Sequence, residues 1–282
     1  MSSERQRRTS SPSAEDCPTT SEMPMLGLGT WENTDDEACI ESVATALEMG
    51  YRHVDTAQAY GNEELVGEGI ARAGVDREDV FLATKVWIDS LDYDSAVEST
   101  HESLERLGVD AVDLLYVHWP ARAFDWAETF DALSELVAEG ATDRVAVSNF
   151  EPDQLERAVA ETDVEIFANQ VEIHPLLPQR ELREAAAELD VELVAYSPLA
   201  RGDVFDHPTV SEVAERHGVS EARVSLAWLR HHDITAIPKA TGEEHVRDNW
   251  ESLELELTAE DVEALDGIED RDRKVDPSFA PW

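Results

Sequence analysis

Short apolar segments recur along this chain, and longer segments with a different apolar spacing separate them. The short segments are rich in Val, Ile, Leu and aromatic residues, which is typical of strands buried in a parallel sheet. On this pattern we predict eight strands, at residues 26–31, 51–56, 80–86, 112–118, 144–148, 166–172, 191–196 and 234–238.

The longer segments predict amphipathic helices, because their apolar residues return every three or four positions. Examples are DDEACIESVATALEMG at 35–50, DSAVESTHESLERLG at 94–108 and WAETFDALSELVAEG at 126–140. Carboxylates occupy the opposite face of each predicted helix. Glycine ends four of these segments, at a position where it commonly terminates a helix: Gly50, Gly74, Gly108 and Gly140.

Eight strand and helix pairs in one chain predict an α/β fold, a single (β/α)8 TIM barrel, since such a barrel needs about 250 residues. A doubly wound sheet is the alternative. It would need a GxGxxG turn, and the segment GLGTWE at 27–32 lacks the third glycine. We therefore expect one barrel domain over residues 23–282. Residues 1–22 contain paired arginines without an apolar segment behind them, so we expect a disordered tail rather than a signal sequence.

The charge of the chain is strongly negative, with 63 Asp and Glu against 22 Lys and Arg and a net charge of -41. Such a surface makes nucleic acids and anionic membranes unexpected partners. A hydrophobic content of 42% with seven tryptophans argues against disorder. At molar salt the Debye length falls to about 3 Å, which screens carboxylate repulsion. The composition therefore predicts a folded protein of a salt-rich cytoplasm.

Neither a disulfide framework nor a metal site is expected. The chain has two cysteines, Cys17 and Cys39, and it contains no HxH, HExxH or CxxC motif. No apolar stretch of 18 residues is present, so no membrane-spanning helix is expected either.

Polar side chains stand where the predicted strands end, and in a (β/α)8 barrel the strand C-termini carry the active site. Only three of the basic residues are lysines, and two of these lie at strand ends. A lysine retained among so many arginines suggests chemistry that needs a compact cation. The strand-end candidates are Asp55, Lys85, His118, Ser148, Asn149, Gln170, Tyr196 and Lys239.

Tyr60 lies on the loop after Asp55 and is a candidate general acid. A phenol has an ordinary pKa near ~10, too high for efficient proton donation at neutral pH. We expect the Lys85 ammonium to lower the pKa of Tyr60 and Asp55 to keep that lysine charged. His118 could then orient a carbonyl oxygen. These four residues predict an acid suited to a developing alkoxide.

Residues 50–67, GYRHVDTAQAYGNEELVG, resemble the signature of the aldo-keto reductases. Further similar segments follow in order: VFLATKVW at 80–87, DLLYVHWP at 113–120, VSNF at 147–150, ANQVEIHP at 168–175, AYSPL at 195–199 and IPK at 237–239. The resemblance covers residues 24–282 and is strongest to the bacterial and archaeal branch similar to 2,5-diketo-gluconate reductase.

The resemblance implies reduction of an aldehyde or ketone by NAD(P)H, with Tyr60 as general acid. Lys85 and Asp55 would tune that acid, and His118 would orient the carbonyl group. Nicotinamide would be held by Ser148, Asn149 and Gln170, with Tyr196 stacked on its ring. Four residues would complete the cofactor site: Thr30, Asp55, Ser197 and Leu199.

The segment that resembles the family's cofactor-phosphate loop departs from the usual pattern. The family usually has serine after the lysine and an arginine further along, whereas this chain has Ala240 and His245. Loss of donors weakens the grip on a 2'-phosphate. Because Lys239 and Thr241 persist, NADP(H) is the first expectation, and NAD(H) or dual use is the alternative. The cofactor-phosphate candidates are Lys239, Thr241, His245 and Asn249.

Three tryptophans, Trp31, Trp87 and Trp119, follow predicted strands and should line the substrate pocket together with His118. Aromatic walls suit compact, moderately apolar carbonyl compounds. The tail RDRKVDPSFAPW at 271–282 is expected to fold over the mouth of the barrel, as in similar proteins.

Two other functions remain open at this point. One is a nicotinamide-binding regulatory module similar to the β subunits of potassium channels, although the chain lacks long insertions. The other is a different barrel enzyme such as an isomerase, although no Gly-rich phosphate loop follows strands 7 and 8. The expected partner is a small carbonyl compound, and we expect a cytoplasmic monomer.

Overall fold

Eight parallel strands hydrogen-bond in chain order in the computed structural model, which describes residues 11–269 and 271–282. Each strand lies within or overlaps a predicted one, and the sixth matches its predicted bounds end to end. The strands are β1 Leu28–Gly29, β2 His53–Asp55, β3 Phe81–Val86, β4 Val112–Val117, β5 Thr142–Ser148, β6 Ile166–Glu172, β7 Glu192–Tyr196 and β8 Thr235–Ala236.

The sheet closes on itself between its first and last strands. Bridges join Leu26 to Ala236 and Gly29 to Lys239, both parallel. The backbones approach so closely here that a Cβ on Gly29 would lie 2.6 Å from the carbonyl oxygen of Ile237. The fold is therefore a (β/α)8 barrel, and the predicted fold class is confirmed.

Helices cover the outside of the barrel between the strands. All four glycines predicted to end helices occupy C-cap positions with positive φ. Acidic residues also begin helices: the side chains of Asp35, Asp92 and Asp125 accept hydrogen bonds from backbone N–H groups of the first turn. The helices are α1 Asp36–Met49, α2 Glu63–Ala73, α3 Tyr93–Leu107, α4 Trp126–Glu139, α5 Pro152–Glu161, α6 Arg180–Leu189, α7 Pro208–His217, α8 Glu221–His231, α9 Glu243–Trp250 and α10 Ala259–Asp266.

Five short 3-10 helices complete the regular structure of the described residues. Two of them lie on loops at the barrel mouth, after β2 and after β7. They are Ala14–Asp16, Gln58–Tyr60, Arg77–Asp79, Ala200–Asp206 and Glu251–Glu254.

The hydrophobic core has two layers. Strand residues facing outward pack against the helices in a large cluster that includes Leu82 and Leu115. Strand residues facing inward fill the barrel itself, among them Leu114, Tyr116 and Val194. The interior is thus packed with side chains, and only the strand ends are free to form a site.

An N-terminal hairpin closes the bottom of the barrel. Thr19–Thr20 pair with Met23–Pro24, and the fully buried Met23 packs inside the barrel. Pro12 also contacts the fold, since its carbonyl oxygen accepts a hydrogen bond of 2.8 Å from the Trp250 indole. This corrects the expectation of a disordered tail for residues 11–22, because the hairpin and the Pro12 contact attach them to the barrel. For residues 1–10 that expectation lies outside the described residues.

Within the ranges that the structure describes, no helix combines the length and the apolar character that crossing a membrane requires.

Candidate active site

A cavity of about 390 Å³ opens at the carboxyl ends of the strands. All three predicted tryptophans line it, at the positions that follow β1, β3 and β4. The lining residues are Trp31, Ala59, Tyr60, Trp87, His118, Trp119, Ser148, Asn149, Gln170, Tyr196, Ser197, Arg201 and Val275.

The fully buried Lys85, near the end of β3, organises the deepest part of this site. Its ammonium forms an ion pair with Asp55 Oδ1 and donates a hydrogen bond of 2.8 Å to the carbonyl oxygen of Thr56. The hydroxyl of Tyr60 lies 3.5 Å from the same nitrogen. In the parallel pairing of β2 with β3, Asp55 lies opposite Ala83, and Lys85 stands two residues further along β3 on the same face as Ala83. The predicted association of these three side chains is therefore observed.

The electrostatic setting differs from the prediction. Burial, with a further contribution from the charge of Asp55, raises the pKa of Tyr60 well above its ordinary value. Burial likewise lowers the pKa of Lys85, while Asp55 acts in the opposite direction. The net shift is thus opposite to the expected lowering, because burial and the nearby Asp55 carboxylate raise the pKa of Tyr60. Tyr60 is consequently a neutral phenol throughout the neutral pH range.

His118 follows β4 and contacts both aromatic neighbours. Its ring centroid lies 5.8 Å from that of Tyr60 and 5.1 Å from that of Trp87, both in edge geometry. Burial, with the charge of Lys85, holds the pKa of His118 well below its ordinary range. The imidazole is therefore uncharged, so it can orient a carbonyl oxygen by a neutral hydrogen bond.

A hydrogen-bonded wall forms the other side of the cavity, at the ends of β5, β6 and β7. Asn149 donates to the carbonyl oxygen of His118 at 3.1 Å and to Ser148 Oγ at 3.0 Å, and it accepts from the Tyr196 hydroxyl at 2.8 Å. Gln170 donates to Asp55 Oδ2 at 2.8 Å. The wall thus presents amide and hydroxyl groups beside one aromatic ring, next to the catalytic candidates.

Two residues of this wall have unusual backbone conformations. Asn149 has a φ of +64° and Ser197 a φ of +46°, both in the left-handed region. Both residues stand immediately after a strand. Such conformations recur where a backbone is bent to present side chains to a ligand.

The remaining cofactor candidates lie at different distances from the cavity. Thr30 is buried, and its hydroxyl donates to the carbonyl oxygen of Asp55 at 3.0 Å. Leu199 packs partly against the core. Neither lines the cavity, and the four cofactor-phosphate candidates do not line it either.

The cofactor-phosphate candidates lie between β8 and α9. Lys239 is exposed and forms no ion pair with any residue in 11–269 or 271–282, whereas Asn249 is buried. His245 is exposed, and its Nδ1 lies 3.3 Å from the carbonyl oxygen of Thr241. Arg247 is paired with Glu243 at 2.5 Å. One cation is therefore available to a ligand here, and it stands beside the acidic start of α9.

The C-terminal segment, residues 271–282, lies across the cavity. The Phe279 ring is 5.4 Å from Trp119 and 6.1 Å from Trp87, and the Trp282 ring is 5.5 Å from Trp119. Val275 reaches the cavity itself. This segment forms the outer part of the aromatic wall.

Sequence reasoning missed four contributors to the site. Ala59, Arg201 and Val275 line the cavity, and the Thr56 carbonyl accepts a hydrogen bond from Lys85. Arg201 also stacks on Trp31, with its guanidinium carbon 4.5 Å from the ring centroid. Arg201 could have been suspected, because it is the next cation after β7, and Val275 belongs to the tail that was expected to fold over the mouth. Nothing in the local sequence marked Ala59 or Thr56.

A larger groove of about 560 Å³ lies at the opposite end of the barrel, where β7 and β8 begin. Residues such as Val191 and Ile234 line it, with charged groups at the rim. In barrel enzymes this end serves stability rather than catalysis. Among the described residues no group of three or more His, Cys, Asp or Glu side chains could hold a metal ion, in this groove or elsewhere.

Comparison with known proteins gives consistent matches. Residues 25–270 match the profile described as the Aldo/keto reductase family. An aldo-keto reductase of Mycobacterium sp. (strain KMS) is 41% identical over 252 residues, covering 89% of this chain and 91% of its own. The glyoxal reductase of Bacillus subtilis (strain 168) is 37% identical over 257 residues, covering 91% and 92%.

A crystal structure provisionally named 2,5-diketo-D-gluconic acid reductase B has a TM-score of 0.87 and 38% identity, covering 91% of this chain and 92% of its own. The region matched by the family profile contains every cavity-lining residue except Val275.

Proposed function

This chain belongs to the aldo/keto reductase family, and we propose that it reduces aldehydes or ketones to alcohols with NADPH or NADH, using Tyr60 as general acid. The family predicted from the sequence is confirmed, and the chain is an oxidoreductase of that family. The observation that carries the proposal is the Lys85 ammonium, fixed between Asp55 and the Tyr60 hydroxyl on the cavity floor.

The proposed roles follow from the geometry. A substrate carbonyl in the cavity accepts hydrogen bonds from Tyr60 and from the neutral His118. As negative charge develops on the carbonyl oxygen, Tyr60 transfers its proton to that oxygen. The buried Lys85 ammonium, 3.5 Å away, then stabilises the phenolate that remains. Asp55 holds the ammonium in place.

The wall opposite Tyr60 fits a nicotinamide. Ser148, Asn149 and Gln170 are buried and offer donors and acceptors to a carboxamide, and Tyr196 offers a ring face. A nicotinamide dinucleotide held there would supply the hydride that reduces the carbonyl carbon. Thr30, Ser197 and Leu199 would extend this site.

We propose NADPH as the first cofactor and NADH as a usable second one. Lys239 favours a 2'-phosphate, but Ala240 offers no hydroxyl, Arg247 is paired, and the exposed Glu243 and Glu244 oppose an anion.

We expect Ala240→Ser/His245→Arg to raise the ratio of kcat/KM for NADPH over NADH by about 10²-fold or more, since each of the two added charge-assisted donors contributes about 1.5–3 kcal/mol. Lys239→Ala is the matched control and should lower that ratio. Cofactor dissociation constants from tryptophan fluorescence quenching should move in parallel. If the wild type, the double variant and Lys239→Ala all had the same ratio, the 2'-phosphate would not bind at the segment between β8 and α9.

The function itself is tested by following NADPH and NADH oxidation separately, in molar KCl, with methylglyoxal, a nitrobenzaldehyde and a keto-sugar. Turnover of at least one carbonyl compound is expected. Cofactor binding without turnover of any of the three would favour the regulatory module.

We propose further that the protein works as a monomer in a salt-rich cytoplasm, on the basis of its net charge of -41. Transfer from molar KCl to dilute buffer should lower the melting temperature, because carboxylate repulsion is then no longer screened. An uncharged osmolyte at equal osmolality is the control, since it cannot screen charge. A melting temperature that does not change between the two buffers would contradict salt adaptation.

A further inference from the structure

The C-terminal segment is attached to the barrel by a carboxylate that takes no part in the proposed chemistry. Glu172, the last residue of β6, is fully buried. Its Oε1 accepts from the backbone N–H of Lys274 at 2.7 Å, and its Oε2 accepts from the N–H of Val275 at 2.8 Å. His174 Nε2 lies 3.0 Å from Oε1. Three donors therefore converge on one buried carboxylate.

The position of Glu172 links this attachment to the site. It stands two residues after Gln170 on the same strand, so both side chains project from the same face. It also pairs in register with Tyr196 on β7. The carboxylate therefore lies directly beyond the proposed nicotinamide wall, between that wall and the C-terminal segment.

Contacts within the C-terminal segment connect the residues bound by Glu172 to the aromatic wall. Arg273 lies over the Trp282 ring, 3.7 Å from its centroid, and the Trp282 indole donates to Asp276 at 3.1 Å. The backbone turns where the Ala280 N–H donates to the carbonyl oxygen of Pro277 at 2.9 Å. Holding residues 274 and 275 therefore also holds Phe279 and Trp282 against Trp119.

A second attachment lies at the surface. The Lys274 ammonium pairs with Asp272 at 2.6 Å and with Asp203 of the segment after β7. These carboxylates raise the pKa of Lys274, Asp203 first among them. Such an exposed pair is weakened by molar salt, whereas the buried Glu172 contacts are much less screened.

We propose that Glu172 is a positioning residue that holds the C-terminal segment as the outer wall of the substrate pocket. It acts through the backbone N–H groups of Lys274 and Val275, and it selects for substrates large enough to reach that wall. The substrate part of this inference rests on the proposed reductase function, and the structural part does not.

Glu172→Gln tests the structural part. Glutamine keeps the shape but replaces one accepting oxygen with an NH2 group, so one tail N–H loses its acceptor. Native protein in molar KCl is treated with trypsin, which cleaves after Arg273 and Lys274, and the released peptides 274–282 and 275–282 are measured by mass spectrometry. Release is expected to accelerate about tenfold. Glu188→Gln, an exposed carboxylate on α6, removes the same charge and should leave the rate unchanged.

Steady-state kinetics test the substrate part. In Glu172→Gln we expect KM for nitrobenzaldehyde to rise about tenfold. KM for methylglyoxal, kcat and the NADPH dissociation constant should change little, because a small substrate reaches only Tyr60 and His118. Val275→Pro removes one N–H from the other partner and should shift the nitrobenzaldehyde KM in the same direction, which guards against a folding defect at Glu172.

A chain ending at Asp272 completes the test. Without the segment, Glu172→Gln should have no further effect on the ratio of the two KM values, as expected for residues that act as one unit. Glu172→Gln could instead lower the melting temperature while peptide release and the KM ratio stay at their wild-type values. Glu172 would then be merely structural, and the inference would be overturned. Peptide release does not depend on turnover, so an inactive wild-type protein would refute the reductase function alone.

Discussion

Tyr60→Phe is expected to lower kcat for carbonyl reduction by about 10²–10⁴-fold, the usual contribution of a positioned general acid. The variant loses only the hydroxyl that lies 3.5 Å from Lys85 Nζ, so NADPH affinity should change little. Stopped-flow measurement of hydride transfer in molar KCl, together with NADPH titration, separates the two effects.

Tyr116→Phe is the matched control for this variant. Tyr116 is a second buried phenol, with its ring centroid 5.6 Å from Lys85 Nζ, but it does not line the cavity. It should keep most of the activity. Wild-type turnover in Tyr60→Phe would remove Tyr60 from the mechanism.

The pKa of Tyr60 also sets the pH dependence. Only the protonated phenol can donate in reduction, and burial raises its pKa above the ordinary value near ~10. Activity should therefore not fall through ionisation of Tyr60 as the pH rises across the neutral range. His118 is held neutral by a lowered pKa, so its protonation should reduce activity only below its ordinary range. If the rate fell as the pH rose through about 7, and if this fall were absent in Tyr60→Phe, the assignment would be contradicted.

Lys85→Met is expected to combine a loss of kcat of about 10²–10³-fold with a loss of stability of about 3–5 kcal/mol. The kinetic loss arises because no cation remains to stabilise the Tyr60 phenolate. The stability loss arises because Asp55, which is 1% exposed, stays buried without its ionic partner. Turnover and denaturant unfolding, both in molar salt, measure the two effects.

The double variant Lys85→Met/Asp55→Asn separates stability from catalysis. Removing both charges should restore much of the stability without restoring kcat. Lys85→Arg is the second control, because its wide planar fork does not fit a site where the lysine is fully buried. Full activity of Lys85→Arg would show that the compact shape of the cation is unimportant.

The fold could be predicted from the sequence because it depends on local patterns. Each strand of the barrel is a short apolar segment, and the bounds of β6 agree at both ends. The barrel rule then placed Asp55, Lys85, His118 and Gln170 at one end of the sheet, where the structure has them.

What escaped prediction depends on contacts between distant residues or on burial. Glu172 meets Lys274 across 102 residues of chain, and no local pattern marks that pairing. The packing of Met23 inside the barrel was likewise not predicted, because no local pattern shows that the N-terminal hairpin reaches the barrel interior. The pKa of Tyr60 was misjudged because the sequence gives its neighbours but not the extent of its burial.

The distribution of lysine has a practical consequence. All three lysines belong to the mouth of the barrel: Lys85 on its floor, Lys239 beside β8, and Lys274 in the segment that crosses it. The opposite end and the helical sides carry no side-chain amine. Immobilisation through lysine side chains would thus attach the protein by Lys239 or Lys274 and turn its entrance toward the support. Coupling through surface carboxylates, which are abundant elsewhere, leaves the entrance facing the solution.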